Sequence, residues 1–190
     1  LPALHKVKQL EDEGDAISEP GRPRAIVLVP SSGLGEQVTK VFKDFTHETR
    51  VRVRSALGGI KMAVARRNVS GPCEILLATP GRLEQLMQLK LINLSDLRLL
   101  VLDEADQMLD AGFRPAIQRF LKSSPADLQL ALFTATASEQ VQALIQELFS
   151  EATHIETAGH HRLVSSLKTV NFPVLGGCLL YTSPSPRDDL

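Results

Sequence analysis

Short runs rich in Val, Ile and Leu recur along the chain, each closed by turn-forming or small polar residues. They are Ala25 to Val29, Val51 to Leu57, Ile75 to Ala78, Leu99 to Leu102 and Leu130 to Phe133. Runs of this kind suit strands buried on both faces of a mostly parallel sheet. Between them, apolar residues fall at helical spacing. Leu34, Val38, Val41, Phe42 and Phe45 share one face, and so do Phe113, Ile117, Phe120 and Leu121. Val141, Leu144, Ile145, Leu148 and Phe149 make a third stripe. Strand alternating with helix predicts an α/β domain built on a doubly wound, mostly parallel sheet. Leu1 to Leu10 reads as the end of a helix. Glu11 to Arg24 is polar and contains Gly14, Pro20, Gly21 and Pro23, so a loop is expected there.

Composition narrows this picture. The chain has 190 residues, 43% of them hydrophobic, enough for one domain with a sizeable core. A formal net charge of -1 argues against a protein held to nucleic acid by its bulk field, while leaving room for a local basic groove. Arg50, Arg52 and Arg54 alternate with Val51 and Val53, which predicts a solvated charged strand face, with a basic RNA-facing edge as the alternative. Cys73 and Cys178 lie far apart and write neither a disulfide framework nor a zinc site, which points to a reducing compartment. No run approaches the ~20 apolar residues of a membrane helix, and no signal-peptide pattern opens the chain. His160-His161 lacks any ligand spacing around it and reads as exposed linker.

The chemistry concentrates after two of the apolar runs. Asp103-Glu104-Ala105-Asp106 follows Leu99 to Leu102, and Thr134-Ala135-Thr136 follows Leu130 to Phe133. In open α/β sheets ligands sit beyond the carboxyl ends of the strands. A carboxylate there can hold Mg²⁺, usually through water, and a second can orient and deprotonate an attacking water. Asp106 can accept a hydrogen bond from the hydroxyl of Thr134 or Thr136 and so tie the two strand ends together. Ala105 leaves room for close packing. Without the threonines, an acidic cap on the helix from Gln107 onward would serve equally well as a reading.

Asp103-Glu104-Ala105-Asp106, in the context Val-Leu-Asp-Glu-Ala-Asp-Gln-Met-Leu, closely resembles motif II of the DEAD-box RNA helicases. Thr134-Ala135-Thr136 resembles their Ser-Ala-Thr motif, and Thr79-Pro80-Gly81-Arg82 their Thr-Pro-Gly-Arg motif. Gly58-Gly59 matches their glycine doublet, and Pro30-Ser31-Ser32-Gly33-Leu34 is a degraded Pro-Thr-Arg-Glu-Leu. Order and spacing agree over roughly residues 1 to 172. The resemblance implies a RecA-like fold of the P-loop NTPase type, with ATP and Mg²⁺ as cofactors. Asp103 would be the metal ligand, and Asp103 and Glu104 would face the nucleotide. Glu104, Asp103, Asp106, Thr134 and Thr136 would form the catalytic set. Ser31, Gly58, Gly59, Thr79, Pro80, Gly81 and Arg82 would grip RNA through its backbone, without base specificity. It also implies a monomer with ribonucleoprotein partners and no membrane. The residues themselves agree: a strand-to-helix turn at Thr79 to Arg82 favours a phosphate, Arg82 adds a charged fork, and Gly58-Gly59 lets backbone approach a ligand closely.

Several departures shape the expectation. No Gly-x-x-x-x-Gly-Lys-Thr loop occurs in the 190 residues, so the chain is expected to begin just downstream of it, without the first strand. Residues 1–160 are expected to be a partial first RecA-like domain, and 161–175 a linker and the start of a second. Residues 176–190 run into Cys178-Leu-Leu-Tyr-Thr-Ser-Pro-Ser-Pro-Arg-Asp, which resembles translated adapter sequence and is set aside from the fold. Ser32, Gly33 and Gly35 replace the family's Arg, Glu and usual Ala, and each glycine inside a helix costs up to ~1 kcal/mol. The expected parent is an ATP-driven RNA-unwinding enzyme of which this segment alone is inactive. The alternative is a non-enzymatic module, derived from a helicase domain, that binds RNA or a protein.

Overall fold

The structure is a computed structural model and describes residues 2–15, 19–47, 49–136 and 138–148, together with 153 and 155. The chain divides into two units, Leu1–Thr153 and His154–Leu190. Apart from 155, the second unit lies outside the described residues. So do the expected linker with His160 and His161, the start of a second domain, the tail with Cys178, and Phe149 of the third helical stripe.

The first unit is a parallel sheet of strands β1 (Ala25–Leu28), β2 (Val53–Ala56), β3 (Ile75–Ala78), β4 (Leu99–Leu102) and β5 (Gln129–Leu132) in the order β2-β3-β1-β4-β5. Helices α1 (Pro2–Asp12), α2 (Ser32–Thr46), α3 (Met62–Val69), α4 (Pro80–Gln88), α5 (Ala105–Asp110), α6 (Arg114–Lys122) and α7 (Glu139–Leu148) connect and cover it. This is the α/β, doubly wound fold that the apolar runs predict. Alternate residues of each strand point to opposite faces. Ile26, Leu28, Leu76 and Leu100 pack with Val69, Leu83, Met108, Ile117, Phe120 and Leu144 in one core. Ala25, Val27, Val53, Ile75 and Leu77 pack with Leu4 and Val7 of α1 in the other. The strands are in register: Leu28 pairs with Ala78 and Leu102, Ala56 with Ala78, and Leu102 with Leu132. Every strand therefore ends at one level, and the residues that follow them share one edge.

Local differences from the sequence expectation have identifiable causes. On α2, Leu34, Val38 and Phe42 pack against the core, but Val41 and Phe45 are 53% and 51% exposed. The buried residues of that helix are Gly35 and Thr39. A Cβ on Gly35 would lie 2.3 Å from Leu57 Cδ2, so the missing side chain is what lets α2 approach the sheet. Thr39 follows because its hydroxyl donates to Gly35 O at 2.6 Å and is satisfied inside the helix. Small residues sit at the closest approach on this face, with Leu34, Val38 and Phe42 packed partly buried around them.

The second strand is shorter than Val51 to Leu57. Arg50 has φ 57, in the left-handed region. The N–H of Arg52 donates to Glu74 Oε2 at 2.6 Å, and its guanidinium also binds that carboxylate. Only Arg54 of the three arginines is a strand residue, so the alternating arginines do not form one strand face. In the expected loop, Lys8 pairs with Glu11 at 2.8 Å and Asp12 at 3.3 Å, carrying α1 as far as Asp12. Cys73 is buried, and burial pushes its thiol up to about 11, which suits packing rather than metal binding or reactivity.

Candidate functional site

At one part of the carboxyl edge, β4 delivers Asp103 and Glu104. Asp103 N donates to Leu28 O at 3.0 Å, and Asp103 Oδ1 accepts from Glu104 N at 3.1 Å. Glu104 caps α5 in a left-handed conformation, φ 51 and ψ 53. For a residue with a Cβ that costs about 1–2 kcal/mol. The kink turns the Glu104 carboxylate out of the strand direction, where Gln107 Nε2 donates to its Oε2 at 2.8 Å.

Asp106 is buried, 9% exposed, in the first turn of α5. Of its two expected partners the structure uses Thr136, whose Oγ1 donates to Asp106 Oδ2 at 2.8 Å. Thr134 Oγ1 instead donates to Thr136 O at 2.7 Å, closing the turn that presents Thr136. Ala105, fully buried, donates its N–H to Phe133 O at 3.0 Å. The ends of β4 and β5 are thus joined by backbone and side chain together, with a fully buried alanine at the contact.

A cavity of about 540 Å³ opens beside Asp103, walled by Val27, Val101, Ala131 and Phe133 of the sheet side and by Lys6 of α1. Among the described residues β5 pairs only with β4, and Phe133 at its end is 59% exposed. The second oxygen of Asp103 makes no hydrogen bond among the described residues, so it is free to act as a ligand. No group of three or more metal-ligating side chains occurs among them either. This donor set fits Mg²⁺ that keeps its water and takes other ligands from phosphates, and does not fit an all-protein cage.

A second cavity, of about 410 Å³, lies where β1, β2 and β3 end. It brings together Ser31, Gly58, Gly59, Thr79, Gly81 and Arg82. Pro80 does not line it; it is buried at the start of α4. Ser31 caps α2, its hydroxyl accepting from Leu34 N at 3.3 Å. Thr79 occupies the same place on α4 but makes no side-chain capping bond, which leaves the first N–H groups of that helix uncapped by it. Two helix N-termini and a guanidinium therefore face one space, an arrangement that favours an anion.

The glycine doublet is held on both sides. Ser32 Oγ donates to Gly58 O at 2.6 Å, and Arg82 Nη2 donates to Ile60 O at 2.8 Å. Gly59 has φ +77, which requires glycine, whereas a Cβ on Gly58 would meet only ordinary contacts. Arg82, expected as a free fork, shapes the loop as well as lining the cavity. Gln85 and Phe113 also line it. Gln85 lies one helical turn from Gly81 and Arg82, so spacing alone could have found it. Phe113, whose ring approaches Gly81, comes from a distant segment and carries no local signal.

A parallel, doubly wound sheet with paired acidic and hydroxyl groups at its strand ends defines the class: a RecA-like α/β domain. The family model of the DEAD/DEAH box helicases matches residues 1–144, and the chain belongs to that family. It is 31% identical over 185 residues to DEAD-box ATP-dependent RNA helicase 39 of Arabidopsis thaliana, covering 93% of this chain and 30% of that protein. It is 38% identical over 152 residues to the probable ATP-dependent RNA helicase DDX4 of Pelophylax lessonae, covering 78% and 21%. RNA helicase CrhR of Synechocystis is 32% identical over 149 residues, covering 78% and 29%. The chain thus spans less than a third of the length of each of these relatives.

Proposed function

We propose that this chain is part of an ATP-dependent RNA helicase that grips RNA by its backbone and couples ATP hydrolysis to local unwinding or remodelling. The observation that carries the reading is the in-register sheet, which brings the acidic cluster and the anion-favouring cavity to one edge. Asp103 would hold Mg²⁺ through water, and Glu104 would orient the attacking water and take its proton. Bound ATP and Mg²⁺ would supply the phosphoryl group and the charge that neutralises it as it transfers. Asp106 and Thr136 position Glu104 by locking the turn that follows it. Ser31, Gly58, Gly59 and Thr79 to Arg82 would receive successive RNA phosphates, with Pro80 setting the first turn of α4.

The 190 residues contain no Gly-x-x-x-x-Gly-Lys-Thr loop. We assign that loop, and a strand on the edge of β5 that is unpaired among the described residues, to the rest of the full-length protein. Residues 161–175 are read as the linker and start of a second RecA-like domain, which would complete the ATP site. On this reading the protein is a monomer that acts on RNA with ribonucleoprotein partners, and the segment alone hydrolyses no ATP.

The test is RNA-stimulated ATPase of the full-length protein. Glu104→Gln should lower kcat at least 100-fold while RNA is still bound, since catalysis by a positioned base contributes about 10²–10⁴-fold. Undiminished turnover would overturn the catalytic assignment. RNA binding indifferent to ATP analogues would favour a non-enzymatic binding module instead.

A further inference from the structure

Between Thr49 and Cys73 the chain carries Arg50, Arg52, Arg54, Lys61, Arg66 and Arg67, and no Asp or Glu, in a protein of net charge -1. Arg52 is bound to Glu74. The other cations are exposed, and among the described residues none of them belongs to an ion pair.

The fold gathers them on one flank. β2 is the edge strand, α3 packs on it, and Asn68 Nδ2 donates to Ser55 O at 2.8 Å, fastening helix to strand. Arg54 lies on the same strand face as Ala56, which shares a core with Val69 of α3. Lys61 stands at the N-cap of α3, directly after Ile60, whose carbonyl Arg82 holds. Arg66 and Arg67 lie in the last turn of that helix. An eight-residue helix is about 12 Å long, so the cations run from the rim of the Gly58-Gly59 cavity down the sheet edge.

Fold stability does not account for this grouping. Arg66 and Arg67 suit the C-terminal end of the α3 dipole, but Lys61 stands at the end where a cation is disfavoured. Like charges held together without counter-charges repel one another. A polyanion continuous with the ligand of the cavity removes that cost.

We propose that this flank is a second, sequence-independent contact for RNA backbone, taking the strand where it leaves the glycine-doublet side of the cavity. The proposal rests on reading the cavity as an RNA grip.

The experiment measures binding of single-stranded RNA to the full-length protein, with an ATP analogue, over a range of salt. One RNA is about six nucleotides long, and another is the same sequence extended by about ten nucleotides at either end. Arg66→Gln with Arg67→Gln should weaken the extended RNA about tenfold and leave the short one unchanged. The slope of log K against log salt should fall by about 1.4 for the extended RNA, at about 0.7 for each phosphate no longer neutralised. Arg66→Lys with Arg67→Lys should restore both values, which separates a missing charge from misfolding. Equal weakening at both lengths, or none at either, overturns the proposal; the second result would leave an acidic protein surface as the occupant. Arg82→Ala tests the cavity separately, because it should weaken the short RNA. If it does not, the grip reading fails, while the flank is still judged by the difference between the two lengths.

Discussion

The two halves of the sheet's carboxyl edge are built differently. Where β1, β2 and β3 end, β1 and β3 are buried throughout, and the loop at Gly58 to Ile60 is held by Ser32 on one side and Arg82 on the other. Where β4 and β5 end, Glu104 is in a left-handed conformation, β5 has no fully buried residue, and Phe133 faces solvent. The first half is a finished cavity made from nearby parts of the sheet. On the proposed function the second is half a site: Asp103 and Glu104 stand at the strand end, but walls that would enclose a nucleotide are not among the described residues. A grip can be local, whereas a hydrolytic centre needs groups on several sides of the reacting phosphate.

Three experiments break or sharpen this contrast. The largest effect is expected from Phe120→Ala against Phe133→Ala. Phe120 is 1% exposed in the core under β1 and β4, so its truncation should cost about 3–5 kcal/mol in urea unfolding. Phe133, at the open end of β5, should cost well under that unless the full-length protein covers it. Equal losses would mean that β5 is as enclosed as the rest of the sheet.

Next is Thr136→Val, which leaves the buried Asp106 carboxylate without its hydroxyl donor. A loss of about 1–3 kcal/mol is expected. A lower kcat should accompany it, because the turn after Glu104 loosens. Full stability and activity would show that the Asp106–Thr136 bond does not organise the acidic half.

Smaller is Gly35→Ala, on the finished half. The added methyl must displace the end of the Leu57 side chain, an overpacking cost of about 1–3 kcal/mol against up to ~1 kcal/mol gained in helix propensity. Combining it with Leu57→Ala should remove the penalty of the added methyl in a double-mutant cycle. If Gly35→Ala simply stabilises the protein, close approach is not the reason for glycine there. Gly33, which has nothing within 4 Å of an added Cβ, is the natural control.

Much of the fold was legible because strands buried on both faces and amphipathic helices leave periodic marks. Ile75 to Ala78 and Leu99 to Leu102 are strands over the residues that the apolar runs predict. Helix α3 was not legible, because its inward stripe of Met62, Ala65 and Val69 is only eight residues long and includes a small alanine. Val41 and Phe45 misled for the opposite reason: they are large and correctly spaced, but the depth of α2 is set by the glycine beneath them. In the site, Asp103 to Asp106 became readable only with Thr134-Ala135-Thr136 beside it, and Thr79 to Arg82 only with the order of the other motifs. Phe113 could not be assigned without knowing which loops meet, whereas Gln85 follows from its spacing to Gly81 and Arg82 on one helix.

By itself the sequence determined the alternation of strand and helix, the strands Ile75 to Ala78 and Leu99 to Leu102, and membership of the DEAD/DEAH box helicases, because these are matters of local spacing. Only the tertiary structure decided that Thr136 and not Thr134 binds Asp106, and that Arg82 holds Ile60 while lining a cavity. It also separated Arg52, bound to Glu74, from its exposed neighbours. Those choices depend on strand order and register, which place residues far apart in the chain within hydrogen-bonding distance, and no local periodicity records them.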